Sequence, residues 1–254
     1  RVIQEASPDV LILLEVEDRA SLLEFNKYFL SDSYKHILYL ETNDVYGRGI
    51  GVLTKTGYNI KSMKSHVNDF DDNGNPIFDM DLQEYKISTP KGTLVTILST
   101  CFLDGLQDPK QTNAKIKIQS KRIAEVYKVL NRPNDLIAVV GTLNVPSYSK
   151  LLIPITEETD LKDISKHRTF EVDFDKGKDS KYFRLGAYKM GVNIKQRDYL
   201  MLSKTLYKIV KSSGLIRKGI WYKKQPQWEM LKTIKNETHI ASEHPLVWSQ
   251  LKIG

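Results

Sequence analysis

The stretch LIAVVGTLN, residues 136–144, joins an apolar run to a polar turn and decides how the chain folds. A short, continuous apolar run rich in β-branched residues is typical of a strand buried on both faces. The run stops at Gly141-Thr142-Leu143-Asn144, which we expect to form a turn that carries polar side chains. Layered α/β proteins build their sites at such strand ends. We therefore expect a functional site beside Asn144.

A second buried strand with a polar end is predicted near the start of the chain. The apolar run VLILL, residues 10–14, follows Pro8-Asp9 and leads into the acidic Glu15 and Glu17. The next segment, 18–30, has apolar residues close to helical spacing after Asp18, a residue type that caps helices. The sequence therefore predicts a strand, a carboxylate at its end, and a helix.

The remaining pattern is rich in strands, with one long helix. The apolar residues of 114–130 repeat with helical period, and Pro133 lies just beyond. The segment 89–92, TPKG, predicts a tight hairpin turn. Further strands are predicted at 36–40, 50–54, 81–88, 93–99, 182–185, 198–202 and 245–251, and a short helix at 204–211. We find no internal repeat and no low-complexity linker.

Length and composition indicate a single domain with an excess of positive charge. The chain has 254 residues, which suits one core. One cysteine, Cys101, excludes an internal disulfide and a multi-cysteine zinc site. The net charge of +7 has the sign expected of a phosphate-binding protein, although lysine-rich surfaces also arise without such a partner. No apolar run approaches the roughly 20 residues that span a bilayer.

Several polar motifs follow one another along the chain: Pro8 to Glu17, Asn43-Asp44, Arg48 to Leu53, Gln119, Gly141 to Asn144, Arg197 to Ser203, Gly214 to Gly219, and Ser242-Glu243-His244. Their order and spacing resemble those of the endonuclease/exonuclease/phosphatase family, in its bacterial type. The resemblance implies an α+β fold, a four-layer α/β/β/α sandwich of two mainly antiparallel β-sheets flanked by helices. It implies one domain over 1–254, and we expect its first strand to precede Arg1.

The resemblance also implies a role for each matching residue. The family hydrolyses phosphate esters with a divalent metal, Mg²⁺ or Mn²⁺. Glu15 and Glu243 take the places of metal ligands, His244 that of the catalytic histidine, and Asp198 that of the carboxylate that orients it. Asn144 would hold phosphate. Arg48 is a further phosphate-binding candidate, and a surface ion pair is an equally suitable role for it.

Three positions depart from the family pattern. Thr142 stands where an aspartate would activate water, and a hydroxyl accepts no proton near neutral pH. Ser99 and Cys101 stand where the family has an asparagine and a histidine that contact phosphate, and a thiol is a weak donor. Glu243 replaces an aspartate, which moves its carboxylate by about 1.5 Å, and metal sites tolerate little displacement.

Two functions remain open from the sequence. The first is a pseudoenzyme that has weak or no hydrolytic activity and still binds a phosphate-containing ligand or nucleic acid. The alternative is an active Mg- or Mn-dependent phosphodiesterase that uses Glu15, Glu243, Asp198 and His244. We expect a monomer. A basic stretch at 115–122 and aromatic residues at 182, 221 and 222 would suit nucleic acid, or simply a solvated helix face and ordinary rim aromatics.

Overall fold

A six-stranded sheet forms the centre of the fold, with its strands in the order β4 (Asn59–Ser65), β5 (Leu82–Ser88), β6 (Leu94–Cys101), β7 (Ile137–Thr142), β10 (Asp198–Leu202) and β8 (Lys162–Asp163). The computed structural model describes residues 1–103, 108–172, 196–221 and 230–253. Its strands are β1 (Val10–Val16), β2 (His36–Leu40), β3 (Gly49–Thr54), β4 (Asn59–Ser65), β5 (Leu82–Ser88), β6 (Leu94–Cys101), β7 (Ile137–Thr142), β8 (Lys162–Asp163), β9 (Phe170–Val172), β10 (Asp198–Leu202), β11 (Val210–Ile216) and β12 (Leu246–Leu251). Its α-helices are α1 (Val2–Ala6), α2 (Arg19–Phe29), α3 (Pro109–Leu130), α4 (Ile153–Thr156) and α5 (Lys204–Lys208).

The long helix α3 covers one face of this sheet and connects its two parallel strands. Strand β6 precedes the helix and β7 follows it, and the two strands pair in parallel. Asp108 accepts a hydrogen bond from Lys110 N, and Pro109 occupies the first turn, which explains why the helix begins there. Its buried side chains, among them Ile123 and Tyr127, pack against Leu98 and Val139 of the sheet. No helix of the described segments is long and apolar enough to cross a bilayer.

The other face of the sheet packs against two three-stranded sheets, β1-β3-β2 and β12-β11-β9. Val52 of β3 and Val247 of β12 join the same apolar cluster as Tyr85 and Ile97 of the central sheet. Helix α2 forms the outermost layer, and Leu22 packs so closely that a Cβ on Gly51 would lie 2.7 Å from its side chain. Helix, sheet, sheets and helix therefore form four layers, which confirms the α+β sandwich predicted from the sequence.

Most predicted elements are present, and the differences have local causes. Strand β7 runs through Gly141 and Thr142 because β6 and β10 pair with it on both sides, so these residues do not lie in the expected turn. The helix predicted at 204–211 ends at Lys208 because Val210 starts β11. Strands β4, β8, β9 and β11 were not predicted, since β4 is polar, β8 and β9 have only two and three residues, and β11 contains Ser212-Ser213-Gly214. The predicted strand at 182–185 lies outside the described residues.

Candidate functional site

The ends of four strands place polar side chains at one end of the layered sheets. Cys101 is the last residue of β6 and pairs in register with Thr142, the last residue of β7. Thr142 in turn pairs with Asp198, the first residue of the antiparallel β10. Glu15 lies at an irregularity in the pairing of β1 and adopts a left-handed backbone, with φ of 57°. Non-glycine residues rarely adopt this conformation, and they cluster at functional sites.

A chain of hydrogen bonds joins Thr142, Asp198 and His244. The threonine hydroxyl donates to Asp198 Oδ1 over 2.7 Å, and His244 Nδ1 lies 2.8 Å from Oδ1 and 3.0 Å from Oδ2. The hydrogen bond to Asp198 raises the pKa of His244 above its ordinary value, and burial of the ring acts in the opposite direction. The pair therefore favours an imidazolium, whose Nε2 is the nitrogen that remains for a ligand.

Both carboxylate oxygens of Glu15 contact donors of the protein. Arg48 Nη1 donates to Oε2, and the thiol of Cys101 lies 3.5 Å from Oε1. Burial raises the pKa of the Cys101 thiol, and the nearby charge of Glu15 raises it further. The thiol therefore stays protonated and acts as a weak hydrogen-bond donor. Glu15 is thus engaged within the protein.

Asp44 holds the guanidinium of Arg48 in place. Arg48 Nε donates to Asp44 Oδ2 over 2.8 Å, Nη2 donates to Oδ1 over 3.1 Å, and the Arg48 backbone N–H donates to Oδ2 over 3.0 Å. The bonds from Arg48 lower the pKa of Asp44, and the same carboxylate raises the pKa of Arg48. Such a two-bond pair is among the strongest side-chain contacts and fixes the orientation of the guanidinium plane.

Asn144 also adopts a left-handed backbone, with φ of 53°. Its Nδ2 donates to the carbonyl of Phe102 over 2.6 Å, while its buried Oδ1 has no hydrogen-bond partner among the described residues. An unpaired buried acceptor costs free energy, and a ligand that offers a hydrogen-bond donor would recover it. Asn144 therefore has a free hydrogen-bond acceptor, whereas the resemblance implied that this residue holds phosphate, which takes a hydrogen-bond donor.

Three of the sequence-predicted residues form no side-chain hydrogen bond with this group among the described residues. Ser99 is fully buried in β6, behind Cys101, and its Oγ has no partner among the described residues. Glu243 is exposed and makes no hydrogen bond or ion pair with the described part of the chain. Gln119 lies on α3, where its Nε2 donates to Asp79 Oδ2 over 3.2 Å. Trp221 is partly buried, whereas residues 182 and 222 lie outside the described ranges.

These side chains do not fit a site for a divalent metal. No group of three His, Cys, Asp or Glu side chains in the described ranges is arranged to hold an ion. A hard cation such as Mg²⁺ takes about six oxygen ligands. Glu15 is paired with a guanidinium, Asp198 with an imidazole and a hydroxyl, and the free Oδ1 of Asn144 is a single acceptor. Arg48, itself a cation, occupies the position beside Glu15.

Asp44 is the site residue to which the sequence assigned no role. It lies four residues before Arg48, a spacing that brings an acidic and a basic side chain together on a helix, whereas these two residues lie in a turn. In the turn, Thr42 Oγ1 accepts from Asp44 N over 3.1 Å and donates to Arg48 O over 2.6 Å. The spacing was visible in the sequence, but a contact through an irregular turn was not.

The four-layer fold is that of solved endonuclease/exonuclease/phosphatase proteins, as the motifs predicted. Solved structures with this fold include an endonuclease/exonuclease/phosphatase of Bacteroides vulgatus, with TM-score 0.60, 13% identity, and coverage of 98% of this chain and 87% of that chain. The human Nocturnin catalytic domain has TM-score 0.61 at 11% identity, with 83% and 74% covered. A mannosyl-6-phosphatase of Bacteroides thetaiotaomicron has TM-score 0.58 at 12% identity, with 84% and 77% covered. No family model and no curated protein matches the sequence.

Proposed function

We propose that this chain is a member of the endonuclease/exonuclease/phosphatase family that binds a phosphate-bearing ligand and has weak or no hydrolytic activity. The observation that carries the proposal is the hydrogen bond from the Thr142 hydroxyl to Asp198. At the position where the family pattern places a water-activating carboxylate, this chain has a hydroxyl that already donates to a neighbour. Loss of a general base costs about 10²- to 10⁴-fold in rate.

The cations that remain support binding of an anion. When the His244 ring is protonated, its Nε2–H can donate to an anion, and Asp44 fixes the orientation of the Arg48 guanidinium. The net charge of +7 favours the approach of phosphate groups. The human Nocturnin structure, which shares the fold, contains a bound sulfate anion, and sulfate is tetrahedral like phosphate.

An active Mg- or Mn-dependent phosphodiesterase or phosphatase is the second candidate. The intact Asp198–His244 pair favours it, because this pair is the proton-handling part of the family's site. It would require Glu15 and Glu243 to hold the metal, and neither is placed for that in the described part of the chain. The mannosyl-6-phosphatase neighbour shows that phosphatases occur on this fold.

The experiment measures binding and hydrolysis on the same protein. Inorganic phosphate is titrated by calorimetry, and plasmid nicking and bis(p-nitrophenyl) phosphate hydrolysis are followed with millimolar Mn²⁺. We expect phosphate binding that His244→Gln weakens, and no turnover above that of Glu15→Ala. A Thr142→Asp variant restores the family's carboxylate and serves as the reference for recovered activity. Clear wild-type turnover that both Glu15→Ala and His244→Ala abolish would establish the second candidate instead.

We propose further that residues 1–254 form one domain and that the protein is a monomer. The shared apolar cluster between the central sheet and both three-stranded sheets supports one domain, because separate domains would each have a core of their own. One domain predicts a single cooperative unfolding transition in urea.

A further inference from the structure

Arg48 has hydrogen-bond capacity that its protein partners leave unused. A guanidinium carries five N–H donors. Within the described ranges, Nε and Nη2 each donate to Asp44, and Nη1 donates to Glu15. One N–H on each terminal nitrogen therefore remains, which is the arrangement that binds the oxygens of a phosphate.

The two carboxylates on Arg48 are held very differently. The side chain of Asp44 is fully buried, and both of its oxygens accept from the guanidinium. Glu15 meets Arg48 through one oxygen, and about a third of its side chain is exposed, 34%. Ion pairs between partly exposed side chains stabilise a protein by about 1 kcal/mol or less. Asp44 is therefore a permanent partner of Arg48, and Glu15 is exchangeable.

The net charge of the site side chains is negative as long as the Glu15 carboxylate stays beside Arg48, and this opposes the binding of an anion. Glu15, Asp44 and Asp198 contribute three negative charges, and Arg48 and protonated His244 contribute two positive charges. If Glu15 turns toward solvent, the Asp44–Arg48 and Asp198–His244 pairs balance each other. A phosphate that replaces the Glu15 carboxylate then meets two cations and no unpaired carboxylate.

We propose that the Glu15 carboxylate occupies an anion position beside Arg48, and that a phosphate group binds by displacing it from the guanidinium, without a divalent cation. The proposal rests on the proposed function, since it concerns the same ligand at the same site. It assigns Arg48 as the phosphate-binding cation, and it makes Glu15 a competitor of the ligand where the family pattern has a metal ligand.

The two roles of Glu15 predict opposite effects of one substitution. If Glu15 holds a metal that binds phosphate, Glu15→Gln weakens phosphate binding. If Glu15 competes with phosphate for Arg48, Glu15→Gln tightens it, because a neutral amide pairs less strongly with a guanidinium. Removal of the pair's small stabilisation corresponds to about a 2- to 5-fold gain in phosphate affinity.

The test titrates inorganic phosphate into the full chain by calorimetry in the presence of EDTA, and again with Mn²⁺. Glu15→Gln is compared with Glu17→Gln, a matched control that removes the same charge from an exposed glutamate two residues away. We expect tighter binding for Glu15→Gln alone, and equal affinities in EDTA and Mn²⁺. Arg48→Gln should weaken binding by about 10-fold or more, the effect of losing hydrogen bonds to a charged group.

The possible results separate this inference from the proposed function. Phosphate binding that requires Mn²⁺ and is lost in Glu15→Gln overturns the inference, while the chain remains a phosphate-binding protein. An equal gain in Glu15→Gln and Glu17→Gln also overturns it, because the effect is then general electrostatics. If no variant binds phosphate with either EDTA or Mn²⁺, the proposed function and the inference both fail.

Discussion

At the scale of single residues, the Asp198 carboxylate is the main influence on the pKa of His244. Asp198 accepts from His244 Nδ1 and raises the pKa of the ring above its ordinary value of 6.5. A group whose pKa is higher in the folded state stabilises the fold at low pH and loses this contribution as the pH rises through the folded pKa. The His244–Asp198 contact should therefore weaken above that pKa, and so should the binding of any anion that the imidazolium holds.

We expect Asp198→Asn to lower the pKa of His244, because an amide does not stabilise the imidazolium as a carboxylate does. The measurement is an NMR titration of the His244 ring protons, assigned with His244→Gln. Phosphate affinity of the wild type should fall over the same pH range as the ring loses its proton. A wild-type pKa of 6.5 or below, unchanged in Asp198→Asn, would contradict the assignment of this pair.

At the scale of elements, the site depends on the close approach of β6 and β7. A Cβ on Gly141 would lie 2.0 Å from the backbone oxygen of Thr100, on the neighbouring strand. Only glycine therefore allows β7 to pair at this point and to bring Thr142 beside Cys101 and Asp198. The sequence predicted that Gly141 lies in a turn. In the structure it lies within β7, where the absence of a side chain allows the close approach to β6.

We expect Gly141→Ala to lower the free energy of unfolding by about 3 kcal/mol, since backbone atoms cannot move aside as a flexible side chain can. Urea denaturation measures the loss. Gly74→Ala is the control, because nothing lies within 4 Å of its Cβ position, and its positive φ alone should cost about 1 kcal/mol. Equal losses in the two variants would show that the β6–β7 approach is less tight than the structure indicates.

At the scale of the whole molecule, one apolar cluster connects the central sheet to both smaller sheets. Strand β1 pairs only with β3, and β12 only with β11, among the described residues. The two smaller sheets are thus held to the central sheet by side-chain packing. Helix α1, which precedes β1, is joined to the β12-β11-β9 sheet by an ion pair of Glu5 with Lys218, just beyond β11. Cooperative unfolding depends on this packing.

We expect a single unfolding transition in urea, with far-UV circular dichroism and tryptophan fluorescence giving the same midpoint. The three tryptophans, Trp221, Trp228 and Trp248, all lie in the last part of the chain, whereas circular dichroism reports on all sheets and helices. Separate domains would unfold at different urea concentrations. An earlier fluorescence transition would show that the β12-β11-β9 sheet unfolds independently and would contradict the one-domain proposal.

Patterns in the sequence predicted most strands and the long helix, and the family resemblance implied the four layers. Apolar runs at 10–14 and 136–140 and the helical period of 114–130 specify buried strands and a long amphipathic helix, because burial requires that periodicity. The order of the motifs predicted the Asp198–His244 pair. Three contacts could not be predicted from the sequence. They are the hydrogen bonds of Arg48 to Asp44, the ion pair of Glu15 with Arg48, and the hydrogen bond from Thr142 to Asp198. These contacts join residues through an irregular turn or from distant strands, and no local periodicity encodes which charged side chains meet there.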